Sequence, residues 1–299
     1  MNDMNDLDRL AVIVLNYNSC EDTRRCVDRI LSFGLGCRVV IVDNCSSDDS
    51  FPILSNAYEG HSEVDVLQTG SNGGYGAGNN FGIRYAMEKH DSKLIAIVNP
   101  DVYFPDAVIL PAMAKCLRSD EKYGIIGARI VERDGACSLA WSAWSIPTVT
   151  ELADHHFLHT HRYSKPIVRE EISPGLSKVD CVAGCFFMAK VSCLSDIGFF
   201  DENMFLYFEE TSVGIRCREK GYITLLAEDL NYYHDHRLPD NDSMTLKQKL
   251  SLTKDQYKSA RYLRKMYYPP IGAVLLWMVE VLNRMILLGA YIKHRIRKS

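Results

Sequence analysis

The sequence lacks several features that would direct it to common classes of protein. Its 34 Lys and Arg stand against 38 Asp and Glu, which gives a formal net charge of -4. The chain therefore has no overall excess of positive charge that would indicate nucleic acid as a partner. The sequence also has no internal repeat and no low-complexity tract. Its 299 residues are 47% hydrophobic and 24% charged, which is ordinary for a globular protein of one large domain or two closely joined ones.

The ten cysteines do not form a metal-ligand pattern. No CxxC pair occurs, and Cys181 and Cys185 are four residues apart without a partner pair for zinc. The opening sequence MNDMNDLDRL is polar and has no apolar segment of the signal-peptide type. We therefore expect reduced thiols in a cytoplasmic protein, most of them buried as small hydrophobic groups.

Short apolar runs alternate with helical stretches in the first half of the chain. Helices are predicted over Cys20–Phe33 and Gly78–Lys89. The runs predicted as buried strands are Leu10–Leu15, Val39–Val42, Val64–Gln68 and Leu94–Val98. Strands of this kind, separated by helices, predict an α/β fold whose mostly parallel sheet is covered by helices.

Polar segments follow these strands directly. NYNS follows the first, DNCSSDDS the second and NPD the fourth. In open α/β sheets the ligand crevice lies outside the carboxyl ends of the strands. The order of the elements therefore gathers Asn16, Asp43, Asn72 and Asp101 at one edge of the sheet, and we expect a binding site there.

Four motifs carry candidate chemistry, and each also has a purely structural interpretation. The glycine-rich TGSNGGYGAGNNFGIR suits close approach to phosphate or forms a flexible loop, and it matches neither common nucleotide-binding motif. Asp101, in VNPDV, suits a hard divalent cation or a turn. Glu209 and Glu210 suit a general base or a solvated helix start. His234, in YYHDH, could complete a metal site or be structural.

Together these motifs resemble family 2 of the inverting glycosyltransferases with the GT-A fold, in particular its rhamnosyltransferase-like branch. The resemblance covers about Leu10 to His236. The matching segments, in order, are VIVLNYNS, VDNCSSDDS, NGGYGAGNN, VNPDV, VAGCFFMA, GFFDENMFLYFEE and RCREKGY, followed by His234.

The resemblance implies a role for each matching position. It implies donor binding by Asn16, Asp43, Asn72, Gly73, Asn79, Asn80, Asn99 and Asp101. Asp101 and His234 would hold Mg²⁺ or Mn²⁺, Glu210 or Glu209 would be the catalytic base, and Gly184 and Asp201 would lie near the acceptor. The family often has an acid where Ser212 stands and aspartate where Glu210 stands, which leaves the identity of the base open.

The implied activity is transfer of a sugar from a nucleoside-diphosphate sugar to an acceptor hydroxyl, with inversion. We expect dTDP-rhamnose as donor and a lipid-linked saccharide as acceptor, in synthesis of a surface polysaccharide such as lipopolysaccharide O-antigen. A UDP-hexose donor (galactose or N-acetylglucosamine) is the alternative within this activity. A nucleotidyltransferase is less consistent with LNYNS, which lacks glycines and basic residues. An inactive nucleotide-sugar-binding scaffold is the alternative of another class.

The C-terminal segment has a different character. We predict a glycosyltransferase domain over residues 1–245, with a donor half of about 8–130 and an acceptor half of about 131–245, and a helical segment over 246–299. Helices are predicted over Leu246–Tyr267 and Ile271–Ile292, broken by Pro269 and Pro270.

The second of these helices is apolar except for one narrow face and a basic end. Glu280, Asn283 and Arg284 fall on that face at helical spacing, with an i,i+4 ion pair between Glu280 and Arg284. This pattern favours a helix lying on the inner face of the cell membrane. Burial against the enzyme or against a second copy in a homodimer is the alternative.

The histidine-rich sequence HHFLHTH, from His155 to His161, has two interpretations. His155 and His159 would share one face of a helix and could bind a metal. The simpler interpretation is a polar loop on the acceptor side.

Overall fold

A computed structural model of the chain describes residues 7, 9–131, 135, 139–156, 169–235, 246–270 and 272–298. The strands are β1 (Leu10–Asn16), β2 (Arg38–Asp43), β3 (Val64–Gln68), β4 (Leu94–Val98), β5 (Val102–Tyr103), β6 (Tyr123–Val131), β7 (Ala143–Trp144), β8 (Glu170–Ser173), β9 (Leu176–Val179), β10 (Cys181–Val182), β11 (Phe186–Lys190) and β12 (Ile223–His234). The helices are α1 (Cys20–Leu31), α2 (Ser50–Ala57), α3 (Tyr75–His90), α4 (Ile109–Arg118), α5 (Leu139–Ser142), α6 (Val149–His156), α7 (Val191–Asp196), α8 (Glu209–Glu219), α9 (Leu246–Tyr267) and α10 (Gly272–Lys298).

One large sheet organises the first part of the chain, in the order β3-β2-β1-β4-β11-β6-β12-β9-β8, with β5 paired to β12. The four strands β3, β2, β1 and β4 are parallel, and so is the pair β6–β12. The antiparallel strand β11 joins these two parallel parts. The predicted α/β class is confirmed.

The central strands are buried on both faces, which explains their continuous apolar sequences. Along β1, Leu10, Val12 and Val14 belong to one hydrophobic cluster, whereas Ala11 and Ile13 belong to the cluster on the other face. Because neighbouring side chains of a strand point to opposite faces, a strand covered on both sides must be apolar at every position.

The sequence over Val179–Ala189 is strand-like and predicts one strand, but the chain is divided there among the end of β9, β10 and β11. β9 ends at Val179, β10 pairs with β7, and β11 begins at Phe186. The residues between β10 and β11 form a turn that contains Gly184. A Cβ atom at Gly184 would lie 2.6 Å from Oε1 of Glu210. The glycine in this turn therefore leaves room for the Glu210 side chain of α8.

The residues group into two compact units. The first lies within 1–146, 167–202 and 209–236, and it contains the large sheet. The second lies within 147–166, 203–208 and 237–299, and it contains α6, α9 and α10. The division into domains at residue 245 stays a prediction.

Within the second unit, α9 and α10 flank the predicted break at Pro269 and Pro270. The predicted ion pair is confirmed, with Arg284 Nη2 2.7 Å from Glu280 Oε1. Among the helices of the described ranges, none has a stretch long and apolar enough to span a bilayer. Most of the histidine-rich patch lies outside the described residues, so both interpretations of it stay predictions.

Candidate active site

The ends of β1 and β2 place Asn16 and Asp43 side by side, as partners in the parallel register. Both side chains are buried, and Asn16 Nδ2 donates to Asp43 Oδ2 at 2.8 Å. Asn16 Oδ1 in turn accepts from Thr23 Oγ1 at 2.7 Å. This network fixes the edge of the sheet at which the sequence predicts a donor site.

The Asp43 carboxylate also organises the loop that follows β2. Ser46 donates to it through both its backbone N–H (3.0 Å) and its hydroxyl (2.6 Å), and Gln68 Nε2 donates at 3.1 Å. With the bond from Asn16, both oxygens of this buried carboxylate are engaged. Asp43 therefore shapes the rim through residues 44–48, and Ser46 and Gln68 are members of the network that the sequence analysis missed.

The glycine-rich segment is held to the same rim by an exchange of amide hydrogen bonds. Asn72 Oδ1 accepts from Asn44 Nδ2 and from the N–H of Gly74, both at 3.0 Å. Asn44 Nδ2 also donates to the carbonyl of Gly74 at 3.1 Å. Gly73 lies so close to Ala77 that an added Cβ would be 2.8 Å from the Ala77 Cβ. The turn therefore brings bare backbone to the start of α3, an arrangement that suits phosphate.

The two asparagines of α3 have different surroundings. Asn79 is buried and donates to the carbonyl of Tyr75 at 3.0 Å. Asn80 is also buried, and it holds the segment around Asp201. Its Nδ2 donates to the carbonyl of Phe200 (3.0 Å) and to Glu202 Oε1 (2.8 Å), and its Oδ1 accepts from the N–H of Phe200 at 3.0 Å. Asn80 thus links the donor-side helix to the loop that carries Asp201.

A carboxylate and an imidazole meet just beyond β4. β5 pairs antiparallel with the end of β12, which sets His234 opposite Val102. That register places His234 Nε2 3.3 Å from Asp101 Oδ1. Both side chains are partly exposed, at 19% and 25%. Two residues that are distant in sequence therefore form one polar pair at the carboxyl edge of the parallel strands.

The charge state of His234 follows from this contact. Burial disfavours the charged imidazole, but hydrogen bonds to Asp101 and Cys185 and the negative charge of Asp101 outweigh burial and raise the pKa of His234 to about 10. No group of three or more metal-ligating side chains occurs within the ranges that the structure describes. A carboxylate and a neutral imidazole nonetheless fit Mg²⁺ or Mn²⁺ when substrate phosphates supply the remaining oxygen ligands, and a cation bound there would have to displace the imidazole proton.

The two glutamates at the start of α8 differ in exposure. Glu209 is buried, with 3% of its surface exposed. Glu210 is partly exposed, and its Oε1 accepts a hydrogen bond from the N–H of Gly184 at 3.2 Å. Tyr207 and Phe208, directly before the helix, have φ angles of 75° and 71°, which non-glycine residues rarely adopt. Glu210 is therefore the more accessible of the two glutamates.

Tyr75, at the start of α3, contacts the same turn. Its hydroxyl donates to the carbonyl of Gly184 at 2.7 Å. Burial, and then the charges of Glu210, Cys185 and Glu209, raise the pKa of Tyr75 well above its usual value. The sequence analysis missed Tyr75, although its place in NGGYGAG at the first position of a helix is a signal that could have identified it.

Two consecutive residues, Gly184 and Cys185, connect the VNPDV motif with Glu210. The carbonyl of Cys185 accepts from the N–H of Asn99 at 2.8 Å, next to the VNPDV motif. The N–H of Gly184 holds Glu210. The predicted donor and acceptor residues thus meet at one turn of the chain.

The position where the family often has an acid is occupied by a buried side chain. Ser212 is fully buried and Thr211 is 3% exposed. Trp144 Nε1 donates to Thr211 Oγ1 at 3.4 Å. A carboxylate at residue 212 would be buried at considerable cost, so the neutral serine is consistent with this packing.

Curated relatives share part of this chain. It is 28% identical over 214 residues to the low-salt glycan biosynthesis hexosyltransferase Agl10 of Haloferax volcanii, covering 72% of this chain and 63% of that protein. It is 25% identical over 210 residues to the N-acetylglucosaminyl-diphospho-decaprenol L-rhamnosyltransferase of Mycobacterium tuberculosis, covering 66% of each. The chain therefore spans somewhat less than two thirds of these relatives.

Solved structures share the fold at lower identity. GalNAc-T7 with UDP, GalNAc and Mn²⁺ gives a TM-score of 0.63 at 12% identity, covering 85% of this chain and 48% of that one. The mannosyltransferase PcManGT from Pyrobaculum calidifontis, with GDP-Man and Mn²⁺, gives 0.53 at 14% identity, covering 97% and 88%. At this identity the likeness shows the GT-A fold.

The profile of one protein family matches the part of the chain that carries the donor-side residues. The matched region is residues 11–197, more than half of the sequence. It includes β1 to β4, the glycine-rich turn and the turn at Gly184. The chain belongs to glycosyl transferase family 2.

Proposed function

We propose that the protein is an inverting, metal-dependent glycosyltransferase that moves a sugar from a nucleoside diphosphate to an acceptor hydroxyl. The observation that carries this proposal is the pairing of Asp101 with His234 at the carboxyl edge of the parallel strands, 3.3 Å apart. The family and the fold support it, because family 2 is a glycosyltransferase family.

The donor occupies the rim formed by the ends of β1, β2 and β4. Asn16 and Asp43 form its rigid floor, and the loop after Asp43 contacts the nucleoside. Asn72, Gly73, Asn79 and Asn99 complete the pocket, and the exposed backbone of the glycine-rich turn approaches the diphosphate. Asp101 and His234 would hold Mg²⁺ or Mn²⁺, which would supply positive charge against the departing diphosphate.

Glu210 is the base in this proposal, and Glu209 is the second candidate. Glu210 is the more exposed of the two, and the N–H of Gly184 orients its carboxylate. It takes the proton of the acceptor hydroxyl as the oxygen attacks the anomeric carbon. The bond from that carbon to the diphosphate oxygen breaks on the opposite face, and its electron pair leaves with the diphosphate. A single displacement inverts the anomeric centre.

For the substrates we propose dTDP-rhamnose as donor and a lipid-linked saccharide as acceptor, in the synthesis of a surface polysaccharide. The relative named N-acetylglucosaminyl-diphospho-decaprenol L-rhamnosyltransferase supports this choice. The hexosyltransferase relative keeps a UDP-hexose as the alternative donor. Such an acceptor would bring the enzyme to the inner face of the cell membrane.

Nucleotide binding tests the donor site before any acceptor is known. Thermal unfolding of the full chain is followed with dTDP, UDP and GDP, each with and without Mn²⁺. We expect one nucleotide to raise the melting temperature more in the presence of Mn²⁺. Hydrolysis or transfer of the matching nucleotide sugar then tests catalysis.

The outcomes separate the alternatives. A shift with UDP alone would replace dTDP-rhamnose by a UDP-hexose. Binding of a nucleotide sugar without transfer to any acceptor, in a folded sample, would favour an inactive scaffold. No shift with any nucleotide would contradict the proposed donor site.

A further inference from the structure

Helix α10 presents a stripe of large apolar side chains to solvent. The exposed fractions reach 61% for Trp277 and 65% for Met285. The residues of this apolar stripe recur at spacings of three and four along the helix and are Val274, Trp277, Met278, Val281, Met285 and Leu288. Large exposed apolar patches of this kind mark contact surfaces.

The opposite face of α10 is polar and buried, which reverses the usual arrangement of a surface helix. Glu280 is 6% exposed, and Arg261 Nη1 of α9 lies 2.6 Å from its Oε2. Asn283 Nδ2 donates to Tyr257 Oη of α9 at 2.6 Å. Because these polar groups would be costly to separate or to place in lipid, they fix the helix with its apolar stripe outward.

The charged residues of α9 and α10 indicate which kind of partner the stripe binds. From Leu246 to Lys298 the sequence has twelve Lys and Arg but only two acids, Asp255 and Glu280. Glu280 is already paired with Arg261 and Arg284. Lys254, Lys258 and Lys265 of α9 are exposed. A second copy would bring the same positive charge to the interface, whereas an anionic lipid surface is complementary to it.

We propose that the apolar stripe of α10 inserts into the interfacial layer of an anionic membrane. The polar contacts between α9 and α10, Arg261 with Glu280 and Tyr257 with Asn283, set the orientation of the helix. Trp277 belongs to the stripe, and tryptophan favours the boundary between headgroups and acyl chains. This inference rests on the proposed function in one respect: a lipid-linked acceptor would explain why the protein binds the membrane surface.

Vesicle flotation of the full chain tests the stripe directly. The vesicles contain phosphatidylcholine alone or phosphatidylcholine and phosphatidylglycerol at about 3:1. We expect flotation with the anionic vesicles and a loss of bound protein at high salt. The double variant Trp277→Ser/Met285→Ser should reduce binding at least about tenfold, because it removes apolar groups without changing the charge.

A matched pair of variants controls for general effects of the substitution. Val274→Glu changes the stripe at a residue that is 62% exposed, and Val108→Glu makes the same change at a residue of the first unit that is 60% exposed. Val274→Glu should weaken flotation and Val108→Glu should not. Because all these positions are exposed, circular dichroism and the melting temperature should be unchanged in each variant.

Three results would overturn the proposal. The first is a wild-type chain that does not float with anionic vesicles, and the second is a double variant that floats equally well. The third is a wild-type dimer in sedimentation that the double variant dissociates while neither protein floats, which would make the stripe an interface between copies. Flotation uses no donor or acceptor, so failure here is distinguishable from failure of the proposed glycosyl transfer.

Discussion

The backbone N–H of Gly184 donates to Oε1 of Glu210 at 3.2 Å, and a Cβ atom at position 184 would lie 2.6 Å from the same oxygen. The glutamate and the turn thus fix each other in place. Because of this contact, substitutions at residue 210 can test the chemistry of the proposed base, and substitutions at residue 184 can test its position.

Replacing Glu210 by glutamine tests its chemistry. Glutamine keeps an oxygen that can accept from Gly184 but cannot take a proton. We expect turnover to fall by about 10²–10⁴-fold, the usual contribution of a general base, while the melting-temperature shift with nucleotide and Mn²⁺ stays unchanged. Glu209→Gln serves as the comparison, and a larger loss in that variant would move the base to Glu209.

Gly184→Ala tests the position of the same carboxylate. The added Cβ would lie 2.6 Å from Glu210 Oε1 and 3.0 Å from its Cγ, so the glutamate must move. We expect a fall in kcat of at least about tenfold, because small displacements of catalytic groups are costly. Gly289→Ala is the control, since nothing lies within 4 Å of a Cβ built there. Equal activity of the two variants would contradict the role of this contact.

Asp101→Asn tests the proposed metal site. The amide keeps a weak oxygen ligand but loses the charge that favours a divalent cation. We expect the Mn²⁺-dependent part of the nucleotide shift to disappear, while any metal-independent binding remains. In the control Asp106→Asn, a nearby carboxylate that accepts from the N–H of Val108 is replaced by an amide that can still accept. Retained Mn²⁺ dependence in Asp101→Asn would exclude Asp101 as the ligand.

Asn80→Ala tests the link between α3 and the Asp201 loop. The substitution removes three hydrogen bonds from a buried side chain and leaves the N–H of Phe200 without its partner. We expect the free energy of unfolding to fall by about 1–3 kcal/mol, measured by denaturant titration. Asn56→Ala, at an exposed position of α2, should change it little. A loss no greater than in this control would show that the link is not stabilising.

Cysteine alkylation tests whether the loop after β2 lies at the nucleotide. Cys45 is partly exposed in that loop, so we expect bound nucleotide to slow its reaction. Burial raises the pKa of Cys26 to about 12 and of Cys37 to about 11. These two thiols stay almost fully protonated between pH 7 and 9, so their alkylation should be slow across that range and should rise about tenfold per pH unit with the small thiolate fraction. Labelling of Cys45 that ignores saturating nucleotide would place the ligand elsewhere.

The sequence was informative wherever one local pattern decided the structure. The predicted bounds of β3, β4 and α9 agree with the structure, and β4 is a continuous apolar run over its whole length. The gathering of Asn16 and Asp43 at one edge also followed from the order of strands and helices.

Contacts set by distant pairing could not be predicted from the sequence in this way. The proximity of His234 to Asp101 depends on the short strand β5 pairing with the end of β12, and a two-residue strand has no periodicity to detect. The turn at Gly184 interrupts an apolar run that looks like a single strand. The partner of this turn is Glu210, which accepts the N–H of Gly184 and lies 26 residues further along the chain.

The turn between β10 and β11 also determines which parts of the chain can be varied. Cys185 holds the backbone beside the VNPDV motif and Gly184 holds the proposed base, so an insertion there would disturb both. In the loop after Asp43, Asn44 and Ser46 carry the hydrogen bonds that hold the rim. New donor preferences are therefore best sought by varying residues 45, 47 and 48, with the turn at 183–185 left intact.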